Sequence, residues 1–272
     1  MLTQSEKGKI FRGLHERVSA FIIPNPWDIG TSRLLAKLGY QALATTSAGY
    51  AFSVGKPDGT VERDEMIDHI AAVVSATDLP VSADLENGFG DDFKTIAETF
   101  RLAAATGLVG GSIEDVGRPH STIYDIGLAT DRVRVAVEAV RALPFSFTLT
   151  ARAENYIAGN PDLKDTINRL QSFQEAGADV LYAPGLTSRE DIASVVSSVD
   201  RPVNVIMGLQ GVKLTVDELS ELGVKRISVG SALSRAALGA FLRGAREMLE
   251  QGSFEYAEEA ASYRELNSMF GA

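Results

Sequence analysis

Hydrophobic and polar positions along the chain form one pattern that recurs eight times. Each repeat begins with a short apolar or β-rich run that ends in Gly, Asn or Asp, and a longer segment with helical spacing follows it. The strand-type runs cover residues 21–28, 41–49, 79–88, 109–116, 145–155, 178–185, 201–208 and 224–231. The helical segments cover residues 30–39, 63–77, 92–107, 129–143, 162–177, 188–199, 215–223 and 232–252.

Eight strand–helix units predict a closed barrel. Alternating units indicate a parallel sheet whose strands are buried on both faces. Eight units in 272 residues match an α/β protein of the (β/α)8 TIM-barrel type, whereas the alternative, a doubly wound open sheet, has fewer strands. No linker divides the chain, so we expect a single domain over residues 1–272. We expect extra helices at 5–18, before the first strand, and at 262–270, after the eighth.

Composition narrows the class of function. The chain has 26 basic and 36 acidic residues, a net charge of −10, which argues against a nucleic-acid partner. It has no cysteine, which excludes disulfides, thiolate metal sites and a cysteine nucleophile. No apolar run is long enough to span a bilayer, and the first residues lack the apolar stretch of a signal peptide. We therefore expect a cytoplasmic enzyme without a membrane partner.

Acidic side chains cluster where the predicted strands end, which is where barrels of this type carry their chemistry. Alternation along a strand places Asp84 and Glu86 on one face of the third strand, and Glu114 ends the fourth. Such carboxylates repel one another unless a cation or proton intervenes. A hard divalent ion such as Mg²⁺ suits these oxygen ligands. Alternatively the acids, above all Glu86, cap the helices that follow.

Arg152 and the segment 45–59 are candidate substrate-binding groups. Arg152 lies in the strand-type run TLTARAEN, where an unpaired buried cation is costly. Its guanidinium can bind a substrate carboxylate, or it can pair structurally with Glu114 or Glu154. We interpret 45–59 as a loop whose hydroxyls, glycines and backbone N–H groups suit a carboxylate.

Few residues are candidates for proton transfer. His120 lies in the long loop after the fourth predicted strand, where a lid can carry it over the site. His15 and His69 lie in predicted helices and are interpreted as surface or packing residues. Tyr50 and Tyr124 are further candidate proton donors. A Ser–His–Asp triad has no support, because the chain has no GxSxG motif.

At these residues the chain resembles the isocitrate lyase/phosphoenolpyruvate mutase superfamily. The matching pieces, in order, are PNPWDIGTSRLLAKLGYQALATTSAG, GKPDG, SADLENGFG, GSIED, TARAEN, ADVLYAPG and PVNVIM. The resemblance implies a (β/α)8 barrel whose eighth helix is swapped between the subunits of a dimer or tetramer. It also implies Mg²⁺ as cofactor, with Mn²⁺ as a substitute, and a small 2-oxo or 2-hydroxy carboxylate as substrate.

The resemblance further implies a role for each matching residue. It makes Asp84 the closest metal ligand, with Glu86 and Glu114 acting directly or through water. It places Asp58 of GKPDG near the metal and the reacting centre, and makes Arg152 the arginine that grips the substrate. The remaining substrate-binding positions that it implies are Thr46, Ser47, Ala48 and, less closely matched, Asn204.

Three segments depart from the family pattern: the lid after the fourth strand, Asp84-Leu85-Glu86 in place of a DxD motif, and Tyr182-Ala183-Pro184-Gly185 at the sixth strand. After the fourth strand the lyases carry a Lys–Cys–Gly lid motif and the phosphonomutases carry Lys and Asn, whereas this chain has GRPHSTIYDIG. We therefore expect a Mg²⁺-dependent lyase that cleaves a C–C bond of another small oxo or hydroxy acid through a metal-stabilised enolate, with Asp58, His120 and Arg152 as catalytic residues. The alternatives are a phosphonopyruvate-type mutase or hydrolase and a 2-oxo acid binding protein without turnover.

Overall fold

Eight short parallel strands, each followed by at least one helix, form a nearly closed barrel in the computed structural model, which describes residues 2–118 and 122–271. The sheet order is β1-β8-β7-β6-β5-β4-β3-β2, and a hydrogen bond from the Ala44 N–H to the Pro24 carbonyl (3.1 Å) links β2 to β1. The predicted (β/α)8 barrel is thus confirmed. The strands are β1 Phe21–Ile23, β2 Leu43–Ala44, β3 Val81–Asp84, β4 Gly110–Glu114, β5 Thr148–Arg152, β6 Val180–Tyr182, β7 Val203–Ile206 and β8 Arg226–Ser228.

Eleven α-helices are found in the described ranges, and side-chain caps fix where several of them begin. Thr3 and Glu6 form a capping box at the start of the first, and Asp92 accepts a hydrogen bond from the Thr95 N–H at the start of the fifth. The helices are α1 Gln4–His15, α2 Ile29–Lys37, α3 Ser47–Ser53, α4 Arg63–Ser75, α5 Phe93–Ala105, α6 Ile126–Arg141, α7 Leu163–Glu175, α8 Arg189–Ser197, α9 Val216–Glu221, α10 Ala232–Gln251 and α11 Tyr263–Phe270, and a 3₁₀-helix spans Glu255–Glu259.

Two hydrophobic clusters hold the barrel together. Outward-facing strand residues such as Leu149, Val205 and Ile227 belong to the larger cluster, which joins the strands to the surrounding helices. A smaller cluster lies under α1, where Phe11 and Leu14 pack with residues of β1. The extra N-terminal helix predicted at 5–18 is therefore present and packs against the barrel.

The segment 45–59 differs from its interpretation as a loop, because it contains the seven-residue helix α3. Thr46 caps this helix by accepting a hydrogen bond from the Gly49 N–H (3.2 Å). A Cβ on Gly49 would lie 2.6 Å from the Thr46 methyl carbon, so only glycine fits this close approach. A run of small residues suits a carboxylate-binding loop, but it also permits a short, tightly packed helix.

Helix α10 follows β8 but packs little against the barrel. Of its 20 residues, Ser234 and Gly244 are the buried ones. The helix exposes a series of large apolar side chains, namely Leu233, Leu238, Phe241, Leu242, Met248 and Leu249. Across the described residues, no helix combines the length and apolar character needed to cross a membrane.

His15 at the end of α1 makes the stability of the fold depend on pH. Its ring is buried edge-on between Phe11 and Phe21, and Nδ1 donates to the Phe11 carbonyl (2.9 Å). Burial and the Arg226 charge lower the pKa of His15 to about 3. The unfolded chain binds a proton here below pH 6.5 and the folded chain does not, so stability is lost as pH falls. Between pH 7 and pH 5 this loss amounts to about 2 kcal/mol.

Replacing His15 with Phe is therefore expected to flatten the pH dependence of unfolding. Urea unfolding at pH 7 and pH 5 measures the difference in the free energy of unfolding. Burial also lowers the pKa of His69, to about 4, so His69→Phe is expected to reduce the same difference. Asp115 acts in the opposite sense, because burial raises the pKa of its carboxyl to about 6. An unchanged difference between the two pH values in His15→Phe would contradict the assignment.

Candidate active site

A cavity of about 310 Å³ opens at the C-terminal ends of the strands. Its charged and amide lining residues are Asn25, Asp58, Asp84, Glu114, Arg152, Glu154, Asn204 and Arg226, and its apolar walls include Ile23, Ile157, Tyr182, Pro184 and Ile206. A larger cleft of about 700 Å³ lies at the other end of the barrel, beside α1, but contains none of the predicted site residues. Cavity size alone therefore does not identify the site, whereas the convergence of charged groups does.

The structure brings most of the predicted site residues to this cavity. The predicted residues that line it are Thr46, Ser47, Ala48, Asp58, Asp84, Glu114, Arg152 and Asn204. Glu86 is not among the lining residues, and His120 lies outside the described part of the chain. The remaining candidate proton donors are also absent from the lining. Tyr50 stacks on His69, and the Tyr124 hydroxyl donates to Asp91 (3.0 Å).

Arg152 is the centre of a buried ionic cluster. Its Nη1 contacts Asp84 (2.9 Å), its Nη2 contacts Glu114 (3.2 Å), and its Nε contacts Glu154 (2.8 Å). Burial lowers the pKa of the Arg152 guanidinium, but the three carboxylates outweigh burial and raise it well above its ordinary value. The pairings with Glu114 and Glu154 that the sequence left open are thus both present, and Asp84 is a further partner.

Asp84 presents a carboxylate whose position is fixed from two sides. Its Oδ1 accepts from Arg152, and its Oδ2 accepts from the Ser47 hydroxyl (2.9 Å) and, at 3.4 Å, from the Ser47 N–H. The Ser47 hydroxyl also lies 3.5 Å from Asp58 Oδ1. One serine at the start of α3 therefore links Asp84, at the end of β3, to Asp58, in the loop after α3.

The residues of the cavity fit a divalent cation bound through few protein ligands. Within the described ranges, no group of three His, Cys, Asp or Glu side chains forms a ready-made metal cluster. Mg²⁺ commonly uses only one or two carboxylates and completes its coordination with water and substrate oxygens. The cavity is lined by four acids and two arginines, so negative charge is in excess there. Asp84, which is partly exposed to the cavity, is the carboxylate best placed to hold the ion.

Glu86 lies behind this site and is held by Arg118. Strand β3 ends at Asp84, and Glu86 adopts a left-handed backbone conformation (φ 47°), so strand alternation does not extend to it. Its Oε2 lies 2.6 Å from Arg118 Nε, while Arg118 Nη2 donates to the carbonyls of Gly59 (3.0 Å) and Val61 (2.5 Å). Arg118 thereby joins the loop that carries Asp58 to the loop after β3. Strained backbone of this kind is common at functional sites.

Two carboxyl groups beside the cluster have raised pKa values. Burial raises the pKa of Glu154 to about 8, against the opposing effect of Arg152. Asp115 accepts hydrogen bonds from the Glu154 N–H (2.8 Å) and from Arg169 Nη1 (3.0 Å). The contact between Asp115 and the Glu154 N–H joins the segment after β4 to the segment after β5.

Sequence reasoning missed three residues that define the cavity. The sequence alone indicates no role for Tyr182 or Arg226, and it suggests Glu154 only as a partner of Arg152. For Arg226 a signal was present, because alternation places Arg226 and Ser228 of RISVG on one face of the eighth strand. A charged residue at the first position of a barrel strand indicates a polar group inside the barrel.

Comparisons with known proteins agree with this arrangement. The model of the phosphoenolpyruvate phosphomutase family matches residues 11–249. A crystal structure described as a candidate lyase/mutase from Burkholderia cenocepacia J2315 is 60% identical, with a TM-score of 0.95, over 99% of this chain and 97% of that one.

Two curated relatives are more distant. The 2-methylisocitrate lyase of Escherichia coli (strain K12) is 29% identical over 85% of this chain and 81% of its own length. The oxaloacetate decarboxylase of Pseudomonas putida (strain GB-1) is 26% identical over 85% of this chain and 80% of its own length. The family match spans the barrel from α1 to α10 and contains every strand that lines the cavity. The chain is therefore an enzyme that belongs to the phosphoenolpyruvate phosphomutase family.

Proposed function

We propose that this enzyme is a Mg²⁺-dependent carbon–carbon lyase that acts on a small 2-oxo or 2-hydroxy carboxylic acid. The observation that carries the proposal is the carboxylate of Asp84, held at the cavity by Ser47 and Arg152. The relatives support it, since one is named a lyase and another a decarboxylase, both names for enzymes that break C–C bonds.

In this proposal Asp84 is the closest ligand of the metal. Glu114 and the more distant Glu86 act on the metal directly or through water. When bound, Mg²⁺ or Mn²⁺ supplies Lewis acidity at the oxygens next to the bond that breaks. Ser47 keeps Asp84 oriented through its hydrogen bond, and Arg152 offsets the charge of the acids. The acids and the arginine thus form a preorganised electrostatic environment that needs no rearrangement during the reaction.

The other predicted residues act on the substrate. Thr46, Ser47 and Ala48 line the cavity at the start of α3, where they hold the substrate carboxylate, and Arg152 orients it from the opposite strand. Asp58, which lines the cavity with its Oδ1 3.5 Å from the Ser47 hydroxyl, moves a proton at the reacting centre. His120 stays a prediction for the general acid.

A turnover panel tests the proposed function. The purified enzyme is incubated with oxaloacetate, 2-methylisocitrate, 2,3-dimethylmalate and phosphonopyruvate, with Mg²⁺, Mn²⁺ or EDTA, and products are followed by NMR. We expect cleavage of a carboxylic acid that EDTA abolishes and that either metal restores. Turnover of phosphonopyruvate alone would establish P–C chemistry instead. Binding without any turnover would identify a binding protein.

We also propose that the enzyme is a homo-oligomer in which α10 packs against a second copy. The apolar residues that α10 exposes lie on the helix that the family resemblance expects to be swapped. The barrel itself leaves this helix largely uncovered. The single-domain organisation and the cytoplasmic location stay predictions from the sequence.

Replacing Phe241 with Glu is expected to weaken or abolish the oligomer, because this side chain is 69% exposed in a single chain and would be buried between copies. Light scattering after size-exclusion chromatography measures the mass. Val18→Glu is the matched control, since Val18 is an isolated apolar residue that is 91% exposed. A wild-type monomer, or a Phe241→Glu protein with the wild-type mass, would refute the proposed interface.

A further inference from the structure

Arg132 of α6 is the largest almost fully buried side chain in the described part of the chain, with 1% of its surface exposed. Its hydrogen bonds go to backbone carbonyls rather than to acids. Its Nη1 donates to the Asp91 carbonyl (2.8 Å), and its Nη2 donates to the carbonyls of Asn87 (2.6 Å) and Gly90 (2.7 Å). Burial of a guanidinium is costly, and these three charge-assisted hydrogen bonds offset the cost, so Arg132 is tied to one conformation of this backbone.

The segment that accepts these hydrogen bonds, residues 85–92 between β3 and α5, has a strained backbone. Glu86 and Phe89 have φ angles of 47° and 59°, and no other non-glycine residue in 2–118 or 122–271 has a positive φ. Side chains rarely adopt this left-handed conformation unless their surroundings impose it. Besides Arg132, the buried Thr99 of α5 holds the segment, because its hydroxyl donates to the Gly88 carbonyl (2.8 Å). The conformation of 85–92 therefore depends on side chains of the helix layer.

The strained residue Glu86 contacts two acids of the site through its backbone. Its N–H donates to Asp84 Oδ1 (3.3 Å), and its carbonyl accepts from the Glu114 N–H (3.0 Å). Arg132 binds the next carbonyl along the chain, that of Asn87. A change in the backbone of 85–92 would therefore alter the orientation of the Asp84 carboxylate and the position of Glu114.

Tyr124 supports the same segment from the other side of Arg132. The guanidinium carbon of Arg132 lies 4.4 Å from the centre of the Tyr124 ring, so the ring covers the buried cation. The Tyr124 hydroxyl accepts from the Asn87 amide (2.9 Å) and donates to Asp91 (3.0 Å). Tyr124 thus binds side chains of two residues whose carbonyls Arg132 binds, and both residues hold one backbone conformation.

We infer that Arg132 is a positioning residue of the metal site, which holds the strained segment 85–92 so that this segment keeps Asp84 and Glu114 in place. The inference rests on the proposed function, because it concerns the metal that Asp84 is proposed to bind. Arg132 is not among the residues that line the cavity. It therefore acts on the metal only through the backbone that it binds. Residues that orient metal ligands from behind are a recurrent part of metal sites.

Titration with Mn²⁺ alone, followed by the electron paramagnetic resonance signal of the free ion, tests this inference. Arg132→Met removes the three hydrogen bonds and is expected to raise the dissociation constant of Mn²⁺ by about tenfold to a hundredfold. It is also expected to speed hydrogen exchange in 85–92, measured by mass spectrometry. The matched control is Val140→Ala, which removes buried volume near the other end of α6. It is expected to lower stability and to leave both measurements unchanged.

The outcomes separate this inference from the function on which it rests. A folded Arg132→Met protein that binds Mn²⁺ as tightly as wild type overturns the inference alone. An equal loss of affinity in Val140→Ala assigns the effect to general destabilisation and overturns it as well. Failure of wild type to bind Mn²⁺ contradicts the proposed function and the inference together.

A second variant decides if Arg132→Met does not fold. Thr99→Val keeps the shape of the side chain and removes only the hydrogen bond to the Gly88 carbonyl. It is expected to weaken Mn²⁺ binding about threefold, as for the loss of one neutral hydrogen bond. Unchanged Mn²⁺ affinity in Thr99→Val would then overturn the inference.

Discussion

Replacing Asp84 with Asn is expected to lower Mg²⁺-dependent turnover by about a thousandfold while the fold is kept. The metal contributes several kcal/mol of transition-state stabilisation, and each 1.4 kcal/mol is a factor of ten in rate. The amide has nearly the shape of the carboxylate, so the Ser47 contact can persist. Because the change removes one acid from a group of buried acids, the melting temperature is expected to be unchanged or higher. Steady-state kinetics across a Mg²⁺ series measures the effect.

The matched control is Asp78→Asn, the same substitution at an exposed position before the start of β3. It is expected to have wild-type kinetics. If Asp84→Asn retained wild-type activity and the wild-type Mg²⁺ dependence, Asp84 would not be the metal ligand. An equal loss of activity in the Asp78→Asn protein would indicate that the substitutions disturb β3 rather than remove a metal ligand.

Replacing Arg152 with Met is expected to destabilise the protein by about 3–5 kcal/mol at pH 7 and to abolish activity. Asp84, Glu114 and Glu154 would then lie together without their common partner. Urea unfolding measures the loss of stability. Arg152→Lys keeps the positive charge but not the three-way contact, so we expect it to fold better than Arg152→Met and to remain inactive.

The loss in Arg152→Met is expected to shrink as the pH falls from 8 to 5. Arg152 lowers the pKa of Glu154 and burial raises it, so without the guanidinium this pKa lies further above its value in the unfolded chain. The folded variant then binds more protons and is stabilised at lower pH. Arg141→Met is the control, since Arg141 pairs with Asp179 near the surface, where an ion pair contributes about 1 kcal/mol or less. An Arg152→Met protein as stable as wild type at pH 7 would contradict the structural role of the cluster.

The fold was predictable because its signal is local and repeated. Each strand–helix unit carries its own apolar pattern and turn residues, and eight such units leave few topologies. Helix α3 was missed because a seven-residue helix of small residues has the same composition as a loop. The exposure of α10 could not be read from its sequence, since its apolar residues at helical spacing also suit a helix packed on its own barrel.

The site was predictable as far as strand alternation holds. Asp84, Glu114 and Arg152 lie within the regular strands and converge as expected. Glu86 lies beyond the end of β3, where the left-handed backbone turns it towards Arg118, and alternation no longer applies. The three-way pairing of Arg152 depends on distances between strands, which a single sequence does not contain. Arg226 carried a usable signal in the alternation of the eighth strand, but its contacts with Asn204 and Thr150 are seen only in the structure.

The central claim, a Mg²⁺-dependent oxo-acid site built on Asp84, is tested most directly by thermal unfolding with oxalate, a stable planar analogue of a 2-oxo acid. A ligand that binds only the folded state raises the melting temperature by mass action. We expect oxalate and Mg²⁺ together to stabilise wild type by more than the sum of their separate effects, and to have no joint effect on Asp84→Asn. An oxalate shift that is independent of Mg²⁺, or the same joint shift in Asp84→Asn, would contradict the account.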